Sequence, residues 1–368
     1  MKYPGKLGGI FIISQSGGSK MQLKSLFTKV IILVFLGVFA STAYAQPARI
    51  PQESGFSGYV SGGAGLWRVE DNMVKKIGGF KVSDDSINSN RDKPRSETSV
   101  TPIFNYNVRY TFASTRTQIF FGSELENILR MDPATLLGVR QELPDQSVLG
   151  VGYVFSPFVS EVYRDPYAED KDRDGTDRTV NGLRLSYAKI LGSDVSFQYT
   201  YRNLDINNER SGRQLVTDGV ITGSEKDRLD RNGDQHDLEV LYRFVSESGG
   251  SKHTFLPSFQ YSYFDLDGSA MTYNYFLFNA NYRYDAQKFA ISVNGYYGYA
   301  DYDESNPVFG KTREDDRYGF SLLGFYKRFL GVEGLALNGT VTINRSDSNI
   351  DFYKSEVDLF ALNLLYNF

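Results

Sequence analysis

The chain has 368 residues, no cysteine and only two histidines, so disulfides, thiol catalysis, cysteine zinc sites and histidine-rich metal sites are all excluded. Its net charge of −4 provides no basic surface for nucleic acid. The mean hydropathy of −0.36 is mildly polar, and 15% of the residues are aromatic, nearly all of them Tyr or Phe. This combination is compatible with strands that meet lipid on one side and water on the other.

The N-terminal 45 residues have the pattern of a secretory signal peptide. Lys24 and Lys29 precede an apolar run over 30–40, and Ala43 and Ala45 occupy the spacing that a signal peptidase requires. The run is shorter than the roughly 20 residues of a spanning helix. We predict a signal peptide over 1–45, cleaved before Gln46, in which 1–20 can be an upstream extension. Residues 46–368 form the predicted mature domain.

A two-residue alternation of apolar and polar side chains recurs along the mature chain. The clearest case runs from Val100 to Phe112, long enough to cross a bilayer at a tilt, which takes about 9–11 residues. We predict an all-β fold, a transmembrane antiparallel up-and-down β-barrel of about 14 strands. The predicted spans are 56–69, 98–114, 116–126, 136–143, 147–157, 179–190, 194–204, 235–246, 252–264, 270–284, 287–300, 316–328, 333–345 and 354–368. Loss of the two weakest, 116–126 and 136–143, would leave about 12 strands.

The connections alternate in length. Those over 70–97, 158–178 and 205–234 are long and charged, whereas others, such as 191–193 and 285–287, are tight. Outer-membrane barrels have long extracellular loops and short periplasmic turns, and this pattern predicts the same arrangement. A soluble β-sandwich or lipocalin-like barrel also alternates, but its single interior could not accommodate so many apolar stripes.

The glycine-rich start of the first predicted strand, over 55–65, has no phosphate-loop lysine and favours close backbone approach at a barrel seam. At the other end, five apolar side chains alternate to the last residue: Phe360, Leu362, Leu364, Tyr366 and Phe368. This pattern resembles the closing strand of Gram-negative outer-membrane barrels, in which it is the recognition signal for the insertion machinery. The chain from Ser54–Val60 to the terminal Tyr366–Phe368, nearly all of the mature sequence, also resembles a small outer-membrane family of unknown function. The resemblance implies an outer-membrane location, periplasmic chaperones and membrane lipids as partners, and no specific ligand.

If the apolar stripes face lipid, the alternate residues face the lumen, and arginine outnumbers carboxylate among them. The candidate pore-lining residues are Arg109, Arg184, Arg202, Glu239, Arg243, Arg283 and Arg317. A ring of arginine favours anions in a pore. Pairing of these arginines with acids such as Glu124 and Glu239 is the alternative interpretation. Anchoring at the periplasmic interface is a third, for Arg109, Arg243 and Arg283.

One acidic loop has the opening of a calcium-binding loop, with carboxylates at alternate positions before a glycine: Asp170, Asp172, Asp174 and Asp177. The twelfth position is Asn181, where an EF-hand has a bidentate Glu. The alternatives are solvated acidic loops and divalent bridging to lipopolysaccharide phosphates. No other cofactor is predicted.

Catalysis is not predicted. Outer-membrane phospholipases use a His followed two residues later by a Ser, but Leu238 occupies that position after His236, and His253 is followed directly by Thr254. The sequence therefore favours a monomeric, porin-like channel for small hydrophilic solutes, with anions as a candidate class. The alternative is a non-conducting or plugged surface barrel, whose loops bind lipopolysaccharide, calcium or a host surface. In that alternative, basic residues over 75–95 could fold into the lumen.

Overall fold

The computed structural model describes residues 49–77, 79–123, 135–156 and 160–368. The predicted signal peptide and Glu124 lie outside these residues. The strands are β1 (Gly55–Glu70), β2 (Val74–Ile77), β3 (Phe80–Lys81), β4 (Ser96–Phe112), β5 (Thr117–Gly122), β6 (Thr135–Glu142), β7 (Val148–Phe155), β8 (Ser160–Tyr163), β9 (Gly175–Ala188), β10 (Val195–Ile206), β11 (Gly233–Tyr242), β12 (Phe244–Ser248), β13 (Ser251–Leu266), β14 (Tyr273–Asp285), β15 (Phe289–Asn306), β16 (Lys311–Lys327), β17 (Leu335–Ser348) and β18 (Ser355–Asn367).

The sheet closes on itself. Neighbouring strands pair antiparallel around the molecule, and β1 pairs with both β4 and β18. The short strands β2, β3 and β8 lie in the outer loops, and β11 and β12 are one strand interrupted at Arg243. In the described residues the wall is therefore a closed antiparallel barrel of 14 strands, which confirms the predicted fold class and number. The two weakest predicted strands are present as β5 and β6.

The barrel is apolar outside and polar inside. Outward residues such as Val100, Leu185 and Phe320 are exposed, whereas Asn107, Asn279 and Asn294 are buried. A soluble fold would show the reverse, so the exterior is the lipid-facing surface of a membrane barrel. On β18 the alternation is as predicted: Phe360 and Leu362 face out. Within the described residues, no helix has the length and apolar character needed to cross a membrane.

Glycines in β1 allow the close approach of its neighbours. A Cβ on Gly58 would overlap the Asn107 carbonyl of β4, and one on Gly63 would overlap the Leu362 carbonyl of β18. The first strand therefore packs tightly against both partners at the seam, as the glycine-rich sequence indicated.

The two ends of the barrel differ. Short connections lie at the end that holds Phe368; among them Gly249 and Gly250 both have positive φ, as a two-residue hairpin requires. The long connections lie at the opposite, extracellular end. Two short helices, α1 (Arg213–Thr217) and α2 (Gly223–Asp227), form in one of them, and a Thr222 capping box begins α2.

The extracellular loops pack together into a loop cap, defined here as the described residues of 71–95, 156–174, 207–232, 267–272, 307–310 and 349–354. The cap has its own apolar core, to which several loops contribute: Ile87, Tyr167, Leu215, Ile221, Leu229, Met271, Ile350, Phe352 and Tyr353. Because each loop alone could not bury these side chains, the loops order one another across the barrel mouth.

Candidate functional site

The polar lumen contains two cavities. The upper cavity, beneath the loop cap, measures about 610 Å³. The lower cavity, towards the periplasmic end, measures about 340 Å³. Arg184, Gln198 and Glu239 line both cavities. The two cavities therefore adjoin each other at these three side chains.

Adjacent strands form a buried ion pair in the upper cavity. Arg202 on β10 donates from Nη1 to Asp237 Oδ2 on β11 at 2.7 Å. Gln235 and Gln260 donate to the other Asp237 oxygen at 2.8 and 3.3 Å. Arg184 donates from Nε to the Thr200 hydroxyl at 3.0 Å. This hydrogen-bonded network holds the guanidinium groups rigidly against the wall.

A second group of charges lies on β16. Asp315 is fully buried and pairs with Arg313 at 2.7 Å and with Arg317 at 2.8 Å. The Arg317 guanidinium lies over the rings of Tyr273 and Tyr275, with 5.3 and 5.1 Å to the ring centroids. One carboxylate and two tyrosine faces thus balance two positive charges.

Two further arginines line the upper cavity near the cap. Arg231 pairs with Glu209 at 2.7 Å and donates to the Tyr163 carbonyl at 2.7 Å. Arg178, on β9, has an enclosed Nε atom without a hydrogen-bond partner. Arg178 is therefore a cationic side chain of the cavity that forms no ion pair with a described carboxylate.

The periplasmic arginines have separate settings. Arg109 and Arg243 line the lower cavity, and Arg109 donates to the Asn107 side chain at 2.6 Å. Arg283 lies outside the lining of both cavities and pairs with Asp285 at 2.8 Å, near the mouth. This setting matches the anchoring interpretation for Arg283.

The structure thus places six of the seven predicted residues along one or both cavities, and Arg202 and Arg317 form ion pairs with Asp237 and Asp315. It also adds residues that the sequence analysis missed, namely Arg178, Arg231, Asp237, Arg313 and Asp315. The sequence analysis placed the first residues of these two strands, β9 and β16, too late in the chain, at 179 and 316. Extending the same alternation backwards along β9 and β16 would have found Arg178, Arg313 and Asp315.

The basic residues of loop 71–95 pair inside the loop cap. Lys75 and Lys81 contact Asp85 at 3.4 and 3.2 Å, and Lys76 contacts Glu161 at 2.8 Å. The cap therefore uses the charges of these three lysines to join its own loops.

Arg173 joins two segments of the cap, 71–95 and 156–174. Its guanidinium donates to the carbonyl groups of Asn72, Pro166 and Asp84 at 2.7 to 3.0 Å and lies over the Tyr163 ring at 3.8 Å. Burial raises the pKa of Tyr163 to about 12. Tyr163 is therefore a neutral donor at physiological pH, and its hydroxyl donates to the Asp84 carbonyl at 2.6 Å.

The backbone of the predicted calcium loop is joined to loop 71–95. The Asp170 amide donates to the Ile87 carbonyl at 2.9 Å, and Asp172 forms a β-bridge with Ser86. Asp174 approaches Arg164 at 3.9 Å. Within the described part of the chain, no three carboxylate or imidazole side chains converge in a way that could hold a metal ion.

Both histidines are bonded to tyrosine. His236 Nδ1 is 2.8 Å from the Tyr199 hydroxyl, and His253 Nδ1 is 2.8 Å from the Tyr282 hydroxyl. Their neighbours are aromatic rings typical of the membrane interfaces, and neither imidazole is bonded to a serine.

Residues 55–367 match the family described as "Protein of unknown function (DUF2860)". No curated protein matches the chain. A loop-deletion mutant of OmpT, an outer membrane protein of Vibrio cholerae, has 9% identity and a TM-score of 0.37, covering 86% of this chain and 99% of that one. An anion-selective porin from Comamonas acidovorans has 8% identity and a TM-score of 0.36, covering 86% and 100%. LpxR from Salmonella typhimurium has 13% identity and a TM-score of 0.36, covering 64% and 88%. Similarity at this level leaves the activity of the chain open.

Proposed function

The chain belongs to the DUF2860 family of proteins of unknown function and is a Gram-negative outer-membrane β-barrel with a channel-like fold. From these premises we propose that it passes small hydrophilic solutes. In this proposal the loop cap controls entry at the extracellular side. The protein is then a gated channel rather than a permanently open porin.

The two adjoining cavities inside the barrel carry this proposal. The two cavities share Arg184, Gln198 and Glu239, and their volumes of about 610 and 340 Å³ are large enough for sugars or small organic acids. A purely structural barrel would fill this space with side chains, as barrels of about 8 strands do.

A weak anion preference accompanies the channel proposal. Several lumenal arginines are already neutralised by Asp237 and Asp315, which limits the excess positive charge. We expect a reversal potential in a salt gradient to indicate modest anion selectivity. A cation-selective reversal potential would contradict this preference without affecting the channel itself.

The decisive experiment compares wild type with a cap-core variant in planar bilayers. Leu215→Ser with Leu229→Ser disrupts the buried apolar core of the cap, whereas Val220→Ser changes an exposed residue in the same loop. We expect brief, infrequent openings for wild type and Val220→Ser, and at least several-fold higher open probability for the double variant. Absence of conductance in all three would reject the channel.

A second function is favoured by the extent of the cap. The apolar core of the cap resembles that of a folded module, which supports a non-conducting barrel whose outer loops bind a surface ligand. This alternative predicts no conductance even when the cap core is disrupted.

We propose that either form is monomeric, inserts through the barrel assembly machinery with periplasmic chaperones, and contacts lipopolysaccharide. Calcium binding by 170–177 stays a proposal, which calorimetry at millimolar calcium tests.

A further inference from the structure

Arg178 differs from the other arginines of the upper cavity in its lack of a partner. It lies on β9 opposite Ile206 of β10 and lines the cavity beneath the cap. Its Nε atom is enclosed without a hydrogen-bond acceptor, and no described residue forms an ion pair with its guanidinium. The side chain is half-buried, so part of the guanidinium remains in contact with the cavity.

The neighbouring arginines show what Arg178 lacks. Arg202 pairs with Asp237, Arg231 with Glu209 and Arg317 with Asp315. A cation in a partly desolvated wall is costly without a counter-charge. Charges of both signs act on Arg178: Arg231 repels its guanidinium, whereas the Asp71 carboxylate acts in the opposite sense without forming an ion pair with it.

The surroundings of Arg178 are apolar and aromatic. Val180, Leu204 and Ile206 line the same part of the cavity wall. Further round the barrel, the lining changes to the rings of Tyr273, Tyr275 and Tyr302, and Met271 lies above them in the cap. A ligand that satisfied Arg178 would therefore place the rest of its body against apolar carbon and tyrosine faces.

We infer that the upper cavity is a binding site for a small organic oxyanion, a carboxylate or phosphate monoester with an apolar or ring-shaped body, whose charged oxygens pair with the Arg178 guanidinium. A guanidinium binds either oxyanion through two parallel hydrogen bonds. The cavity volume of about 610 Å³ lies within the range of small-molecule sites. This site rests on the proposed channel function and names the class of solute that the channel would select.

Calorimetry on the full chain in detergent micelles tests the site. The probes are sodium benzoate, phenyl phosphate, inorganic phosphate and benzyl alcohol, the last being an uncharged counterpart of benzoate. We expect benzoate or phenyl phosphate to bind, inorganic phosphate to bind more weakly because it lacks the apolar body, and benzyl alcohol to bind at least about tenfold more weakly. Benzyl alcohol binding as tightly as benzoate, or no heat from both organic anions at millimolar concentration, would overturn the inference.

Variants then assign the site to Arg178. We expect Arg178→Gln to weaken the organic anions about tenfold or more, and Arg178→Lys to retain part of the affinity because it keeps the charge. Arg91→Gln makes the same change of charge at an exposed cap residue and should bind like wild type. Equal binding by Arg178→Gln and Arg91→Gln, both migrating as folded barrels on unheated gels, would contradict the assignment.

Bilayer recordings on the same samples separate the site from the channel. If the Arg178→Gln variant conducts and binds the organic anions as tightly as wild type, the site is rejected and the channel proposal stands. Binding that depends on Arg178, in a protein that never conducts even with the cap core disrupted, would reject the channel and retain the site.

Discussion

Asp315 shows how single residues set the lumen charge. Its carboxylate has no exposed surface and is shared by two arginines on the same strand, Arg313 and Arg317. The Arg313 guanidinium also lies over the Tyr353 ring at 3.9 Å, which connects this strand to the loop cap. One acid therefore supports both the cavity wall and the underside of the cap.

Replacing Asp315 tests this role. Asp315→Asn leaves two enclosed guanidinium groups without their counter-charge, and we expect the free energy of unfolding to fall by about 3–5 kcal/mol. Urea titration in lipid vesicles, followed by fluorescence of the single tryptophan Trp67, measures the change. Asp316→Asn, the same substitution on the outward face of β16, is the control and should cost below about 1 kcal/mol. Equal losses in the two variants would show that the shared carboxylate is unimportant.

At the scale of the element, each strand is defined by its two unlike faces. On β9, Leu185 faces lipid while Arg184 and Ser186 line the cavities, and on β10 Gln198 lines both cavities. A shift of one residue in the pairing would reverse every side chain, so the register is strongly specified.

Arginine substitutions on the two faces distinguish them. We expect Leu185→Arg to destabilise the barrel by about 2–4 kcal/mol if it lies near the bilayer midplane, because the charge enters lipid. Gln198→Arg places the same group in the aqueous lumen of the neighbouring strand and should cost less than about 1 kcal/mol. The same vesicle titration measures both variants, and equal destabilisation would refute the assigned orientation.

At the scale of the whole molecule, the barrel and the cap have different roles. The wall is held by continuous antiparallel pairing, whereas the cap is held by one shared apolar cluster and by side-chain bonds such as those of Arg173. Contacts of the second kind can separate locally without opening the barrel. In the proposed channel, the cap is therefore the part whose movement would admit solutes.

A disulfide across the cap tests that movement. Ser86 and Asp172 are paired across an antiparallel bridge between two loops, a separation that suits a disulfide, and the chain has no other cysteine. We expect Ser86→Cys with Asp172→Cys to suppress conductance when oxidised and to regain it in reductant. Ser86→Cys alone should be insensitive to reductant. Conductance that is unchanged by oxidation of the double variant would show that these two loops need not separate.

Much of this architecture was predicted from the sequence, and the reason is local. The two-residue alternation of apolar and polar side chains is a property of each strand by itself, and it predicted the strands, the lipid face and the inward direction of Arg184 and Glu239. The aromatic alternation from Phe360 to Phe368 oriented the closing strand in the same way. Where the pattern merged into charged loops, the predicted strands began too late in the chain, and Arg178 and Asp315 were missed.

Tertiary structure alone decided how the parts meet. The ion pair between Arg202 and Asp237 depends on the register of two strands, and the cap core depends on contacts between Ile87, Tyr167 and Phe352, which are far apart in sequence. No local pattern encodes such contacts, because each loop is individually polar and irregular. The sequence by itself thus determined a membrane barrel with a polar lumen. Only the folded molecule decided that the lumen lies beneath a packed cap, and that Arg178 is left there without an ion-pair partner among the described residues.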